Sequence, residues 1–179
     1  EGGASYSKNS LKSFYGNSGS VTNDINRNLD ILRQRSRNLY MTSPIATSAI
    51  KNNRTNVIGQ GLKIKSRIDF GFLGISRDEA DEWEKKVERE FNFWAESKQC
   101  DIKGIDNFYE LQQIALMGWL LNGDSFGLIK HVKSTKCMPY SLRLQLIEAD
   151  RVCNPNNQFQ TVIEAENRNK IISGVEINK

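Results

Sequence analysis

The sequence predicts an α+β fold: a helical N-terminal half holding one strand, followed by a mostly antiparallel β region. Three observations carry this. Apolar residues recur at helical spacing through most of the chain up to Asn122. From Ser125 onward the period shortens to strand alternation. Helices and strands come in blocks instead of repeated βα units, which argues against a parallel sheet. A chain of 179 residues can bury a core without disulfides or metal. No internal repeat of roughly 20–50 residues suggests a solenoid.

The elements follow in order. Residues 1–23 are rich in Gly, Ser, Asn and Lys, with isolated aromatics at Tyr6, Phe14 and Tyr15. That composition cannot offset the entropy of folding. It predicts an arm, flexible or bound to a neighbour, ahead of a domain over 24–179. A first helix is expected from about Asp24 to Tyr40, with Ile25, Leu29, Leu32, Leu39 and Tyr40 forming its apolar stripe. Arg27, Arg33, Arg35 and Arg37 lie outside that stripe. Ser43 then caps a second helix with Pro44 in its first turn, and this helix stops near Ile58 at Gly59. Between Leu62 and Ile68 the residues alternate. Leu62, Ile64 and Ile68 share one face and Lys63, Lys65 and Arg67 the other, which reads as a strand with a wet basic face.

Ser76-Arg77-Asp78-Glu79 has the spacing of a capping box. It opens a helix reaching about Ser97, whose buried stripe would be Ala80, Trp83, Val87, Phe91 and Trp94. Asp106 is expected to cap the next helix, which carries Leu111, Ile114, Ala115 and Leu121 and ends at Asn122-Gly123. Strands are expected at 125–133 and 142–148, then at 159–164 and 171–177, with a turn at Asn154-Pro155-Asn156-Asn157. The chain opens on Glu1 and closes at Ile177-Asn178-Lys179 inside an expected strand, so it reads as a fragment truncated at its C-terminus.

The residue inventory is poor in catalytic chemistry. Cys100, Cys137 and Cys153 are an odd, widely spaced set without a CxxC pair, which fits free thiols better than a disulfide framework or a zinc site. His131 is the single histidine, so no serine or cysteine nucleophile has a choice of base. Gly59-Gln60-Gly61 follows a helix and lacks the third glycine of a dinucleotide fingerprint. The pair Asp78-Glu79 opens an acidic helix, where the helix dipole explains it. Glu148 and Asp150 sit at a strand end, without the cluster of acidic ligands that two-metal chemistry needs. No enzyme and no cofactor are expected. No run approaches the ~20 apolar residues of a membrane span.

Charge is unevenly spread. Residues 1–70 hold eleven Lys/Arg against four Asp/Glu, and residues 71–110 hold six against eleven. A basic first third beside an acidic middle suits polyanion contact or pairing between neighbouring copies. Arg33, Arg35, Arg37, Lys63, Lys65 and Arg67 are the candidate subunit or nucleic-acid contacts. The bland reading, a solvated charged face, stands beside it. Trp83, Phe91 and Trp94 could stack on bases, but at helical spacing they read as core.

Several segments, in order, resemble the portal proteins of lambda-type tailed phages. They are Leu32-Arg33-Gln34-Arg35-Ser36-Arg37-Asn38-Leu39, Ser43-Pro44-Ile45-Ala46 and Asn56-Val57-Ile58-Gly59-Gln60-Gly61-Leu62. Phe93-Trp94-Ala95, Asp101-Ile102-Lys103-Gly104 and Phe108-Tyr109-Glu110-Leu111-Gln112 follow. Leu146 to Val152 and Ile172 to Ile177 complete the series, with Asn122-Gly123-Asp124 departing from the family's usual glycine–glutamate. The resemblance spans residues 32–177. It implies a portal wing-like domain and a structural subunit of a homo-oligomeric ring of about a dozen copies. The implied partners are capsid or scaffold protein, terminase, head-tail connector proteins and double-stranded DNA passing through the ring, with no membrane. The implied location is the virion's capsid vertex, and the host cytoplasm during assembly. The rival is a stand-alone nucleic-acid-binding protein using the basic N-terminal region. Its affinity would fall steeply with salt.

Overall fold

The structure is a computed structural model that describes residues 9, 21–155, 163–165 and 169–178. The arm expected over residues 1–23 falls largely outside these, as do residues 159–162 of the strand expected at 159–164. The chain is α+β, with helices through the first half and two small antiparallel sheets after them. It divides into two compact units, one over residues 31–152 and one formed by the terminal segments 1–30 and 153–179.

Helix α1 spans Val21–Thr42 and α2 spans Pro44–Val57. Ser43 separates them as read: its hydroxyl accepts from the Ala46 N–H, and Pro44 stands where a missing N–H costs nothing. The stripe expected on α1 is not buried. Ile25, Leu32 and Leu39 are exposed, and Arg33, at 4% exposure, is the one buried side chain among those described on this helix.

The segment Leu62–Ile68 is not a strand, because no backbone partner lies beside it. Side chains take the partner's place. Glu88 accepts from the Ser66 N–H at 3.0 Å and Glu84 from the Ile68 N–H at 2.6 Å. Gln112 both accepts from the Leu62 N–H and donates to its carbonyl, at 2.7 and 3.1 Å. Glutamates four apart on a helix lie ~6 Å from each other, close to the ~6.6 Å between every second residue of an extended chain. Local alternation records the extended backbone but not what bonds it. At the preceding turn Gly61 has φ 109°, and a Cβ there would lie 2.3 Å from the Tyr109 ring, so this passage requires glycine.

A one-turn helix, α3 (Phe70–Leu73), follows, then α4 (Arg77–Glu96) with the capping box formed as expected: Ser76 accepts from Glu79 N–H and Glu79 accepts from Ser76 N–H. Helix α5 (Phe108–Asn122) ends at Gly123 with φ 84°, again as read. Its cap is Asn107, not Asp106. A reciprocal box needs Glu or Gln three residues on, and Asn107 has Glu110 there while Asp106 has Tyr109.

Strands β1 (Phe126–His131) and β2 (Leu142–Ile147) form an antiparallel pair. The Asp101–Ile102 segment lies along the other side of β2, where Ile102 N–H donates to Leu144 carbonyl at 2.9 Å. The core of this unit gathers Trp94, Ala95, Cys100, Tyr109, Leu111 and Met138, with Phe91, Phe108, Leu142 and Leu144 packed against it. Trp94 donates its indole N–H to Leu142 carbonyl at 3.0 Å and stacks tilted on Phe108. Trp83 departs from the expected stripe. It is 53% exposed where it lines an open groove with Tyr140 and Leu142, although Ala80, one turn earlier on the same stripe, is buried.

In the terminal unit, β3 (Ile163–Glu164), β4 (Lys170–Ile172) and β5 (Val175–Ile177) form one antiparallel sheet. The single strand expected over 171–177 is a hairpin. Ser173 and Gly174 both have positive φ, 49° and 83°, the conformation of a two-residue turn whose twist suits the strands. Gly174 N–H donates to Asn154 at 2.8 Å.

The three cysteines are free. Cys100 is buried, and burial chiefly, with the neighbouring Asp101 charge, pushes its thiol up to about 11. Cys137 and Cys153 are exposed. A chromogenic disulfide reagent at pH 8 is therefore expected to titrate two thiols rapidly and the third only on denaturation. Three equally fast thiols in the native protein would contradict this burial.

Candidate functional site

The residues singled out by sequence divide into two groups. Arg33 and Arg37 sit one turn apart on α1 and turn inward. Arg33 donates to the Asn122 carbonyl at 3.0 Å, to the Ala149 carbonyl at 3.3 Å and to the Asp124 carboxylate at 2.9 Å, with Asp150 at 3.5 Å. Arg37 donates to the Asn122 side chain at 2.6 Å and to Asp150 at 2.5 Å. The hydrogen bond to Asp150 is the chief cause that raises the Arg37 guanidinium above its ordinary value. The Arg37 Nη2 atom is buried without a hydrogen-bond partner among the described residues. Only a planar fork can meet acceptors spread over the α5–β1 turn and the short 3-10 turn Ala149–Arg151, so arginine suits these positions and lysine does not.

The other four cations face solvent. Arg35, Lys63 and Arg67 are exposed, and Lys65 reaches Glu88 at 3.3 Å with most of its surface free. The structure thus joins Arg33 to Arg37 and lines up Lys63, Lys65 and Arg67 on the strapped segment. The acidic partners Asp124 and Asp150 went unread in sequence. They lie 91 and 113 residues from the arginines they bind, beyond any local pattern.

Two recesses flank these elements. One, of about 510 Å³, is lined by Asp101, Asp106, Asp124 and Glu148 together with Leu111, Ile114 and Leu146. Asp101 accepts from Ile105 N–H and Asp124 is paired with Arg33, so two of the four acids serve the fold. The other is an apolar groove of about 380 Å³ between α4 and β2, lined by Trp83, Val87, Phe91, Trp94, Tyr140 and Leu142. Tyr140 donates to Glu90 at its edge, which holds that carboxyl below its ordinary value and pushes the tyrosine up. His131 is exposed, with its Nδ1 3.2 Å from the Ser141 hydroxyl. Among the described residues no three His, Cys, Asp or Glu side chains are placed to share a metal ion, and no helix is long and apolar enough to cross a membrane.

Fold and surface together define an α+β protein whose charged side chains partly hold elements together and partly face solvent. The chain belongs to the lambda family of phage portal proteins, whose family model matches residues 7–179. That family is structural and acts at the phage capsid vertex, so the chain has a structural role in a phage portal. No curated protein matches it.

Proposed function

We propose that this chain is the wing-like part of a subunit that closes into a ring of about a dozen copies at one capsid vertex. DNA passes through the bore of that ring, while terminase and head-tail connector proteins dock on it. The family match over residues 7–179 carries the reading. The surface supports it. Unlike faces on one chain are what head-to-tail closure needs, and here the exposed cations Arg35 on α1 and Lys63, Lys65 and Arg67 on the segment strapped to α4 contrast with the acidic surface of α4 itself, to which only Lys65 of the four is paired, through Glu88. These four are the residues proposed to meet a neighbouring subunit or nucleic acid, and Arg33 and Arg37 act by holding α1 in place. Exposed pairs contribute only ~0–1 kcal/mol each, so they set register more than strength.

Sizing of the full-length protein by native mass and electron microscopy tests the reading. The expected result is a closed ring. A full-length protein that stays monomeric or dimeric at high concentration across salt conditions would overturn it. Tight DNA binding by the monomer, lost steeply with salt, would favour a stand-alone nucleic-acid binder instead.

A further inference from the structure

The segment Leu62–Ile68 is an extended chain with one edge in use. The Leu62, Ser66 and Ile68 amides donate to side chains of α5 and α4, at 2.7, 3.0 and 2.6 Å. In an extended backbone the N–H and C=O groups of successive residues point to opposite edges. The main chain of Lys63, Lys65 and Arg67 therefore faces away from α4 and α5. Among the described residues no partner meets the amide or carbonyl of these three. All three residues are exposed, so this edge is open to solvent.

Both ends of the segment are fixed. Gly61 enters against the Tyr109 ring, and Asp69 leaves by capping α3, accepting from Phe72 N–H at 3.1 Å. An edge already held straight has lost the entropy that a flexible loop would lose on binding. Unpaired main chain along such an edge is a template for one more strand.

The side chains say which strand fits. Lys63, Lys65 and Arg67 share one face, and Leu62 and Ile64 are exposed on the other, at 55% and 44%. Lys65 has Glu88 at 3.3 Å, yet 86% of its side chain is free. Lys63 and Arg67 have no ion-pair partner among the described residues. A strand laid along the edge sets its own alternating side chains opposite these. Carboxylates would meet the cations, and apolar groups would meet Leu62 and Ile64.

We propose that the open edge at Lys63, Lys65 and Arg67 takes up an extended acidic segment of another protein chain by main-chain pairing. The proposal rests on the reading above that these cations meet another molecule, and it names that molecule's chemistry; ring closure is not required. A DNA duplex would answer the charges. Only a peptide backbone offers both donors and acceptors at the spacing of this edge.

Residue-resolved amide exchange in the intact protein tests this. Without ligand, Ser66 and Ile68 should exchange slowly and Lys63, Lys65 and Arg67 fast. The probe is an acetylated heptapeptide of alternating valine and glutamate. At about ten times its Kd it should slow the three fast amides roughly 10-fold, by the factor 1 + [L]/Kd, and leave Ser66 and Ile68 unchanged. The same peptide N-methylated at alternate residues, in either frame, should bind more weakly in one frame than in the other, because one frame removes the donors that pair. Lys65→Pro should abolish peptide binding while Ser66 and Ile68 stay protected, since proline removes the central donor of the edge. Should that variant fail to fold, the methylated peptides still decide. If all these amides are slow in the free protein, the edge is covered by its own chain and the proposal is overturned. If about 1 mM peptide slows none of them, the cations guard the edge against pairing; the proposal fails and the ring reading stands. If both methylated peptides bind as well as the parent, the contact is charge alone and the pairing is overturned. If a DNA duplex binds instead, weakened by Lys63→Gln and Arg67→Gln, the face belongs to nucleic acid and the proposal is overturned.

Discussion

Trp94→Ala is expected to destabilise the 31–152 unit by about 3–5 kcal/mol, the largest single effect within reach of one substitution. The side chain is 6% exposed, packs on Phe91 and Phe108 at ring separations of 5.6 and 5.1 Å, and donates to Leu142 carbonyl. Truncation removes the rings' partner, leaves a cavity where α4, α5 and β2 meet, and leaves the Leu142 carbonyl with Arg143 as its side-chain donor. Trp83→Ala, by contrast, should change stability by no more than about 1 kcal/mol, because half of that indole is already in water. Urea denaturation of both variants, followed by circular dichroism, measures the difference. Equal losses at the two positions would mean that the groove is closed in solution.

Arg33 gives the second large effect. Arg33→Ala should cost about 2–3 kcal/mol, below the usual loss for breaking a fully buried pair because Asp124 and Asp150 are themselves half in solvent. The consequence for α1 is larger than the number suggests. None of its described apolar side chains is buried, so Arg33 and Arg37 are its main anchor to the rest of the 31–152 unit. The amides of residues 31–42 should therefore exchange with solvent much faster in Arg33→Ala than in wild type, while those of α5 keep their protection. Arg33→Lys should fail to restore them, since one ammonium cannot reach the Asn122 and Ala149 carbonyls and both carboxylates at once. Unchanged exchange in α1 would show that something other than the arginine fork holds it.

Several helix ends were legible in the sequence because the interactions that set them are local. Ser43-Pro44, the Ser76–Glu79 box and the Gly123 stop each depend on residues within four positions of each other, so their identities alone place the helix ends. The antiparallel pair Phe126–His131 and Leu142–Ile147 followed from alternation on either side of one loop. Two other local features came out differently: α5 was expected to be capped by Asp106, but only Asn107 has Glu110 to answer it, and the strand expected over 171–177 is broken by the Ser173-Gly174 turn.

Tertiary structure decided the rest. Leu62–Ile68 alternates like a strand, but Glu84, Glu88 and Gln112, which bond its backbone, are chosen by the packing of α4 and α5 against it. Trp83 shares a helical stripe with Trp94, yet periodicity says which side chains share a face and not how far a covering element extends along it. Arg33 and Arg37 read as surface charge because arginine is rarely buried. Only the approach of Asn122, Asp124 and Asp150 from distant parts of the chain compensates the cost of taking them out of water.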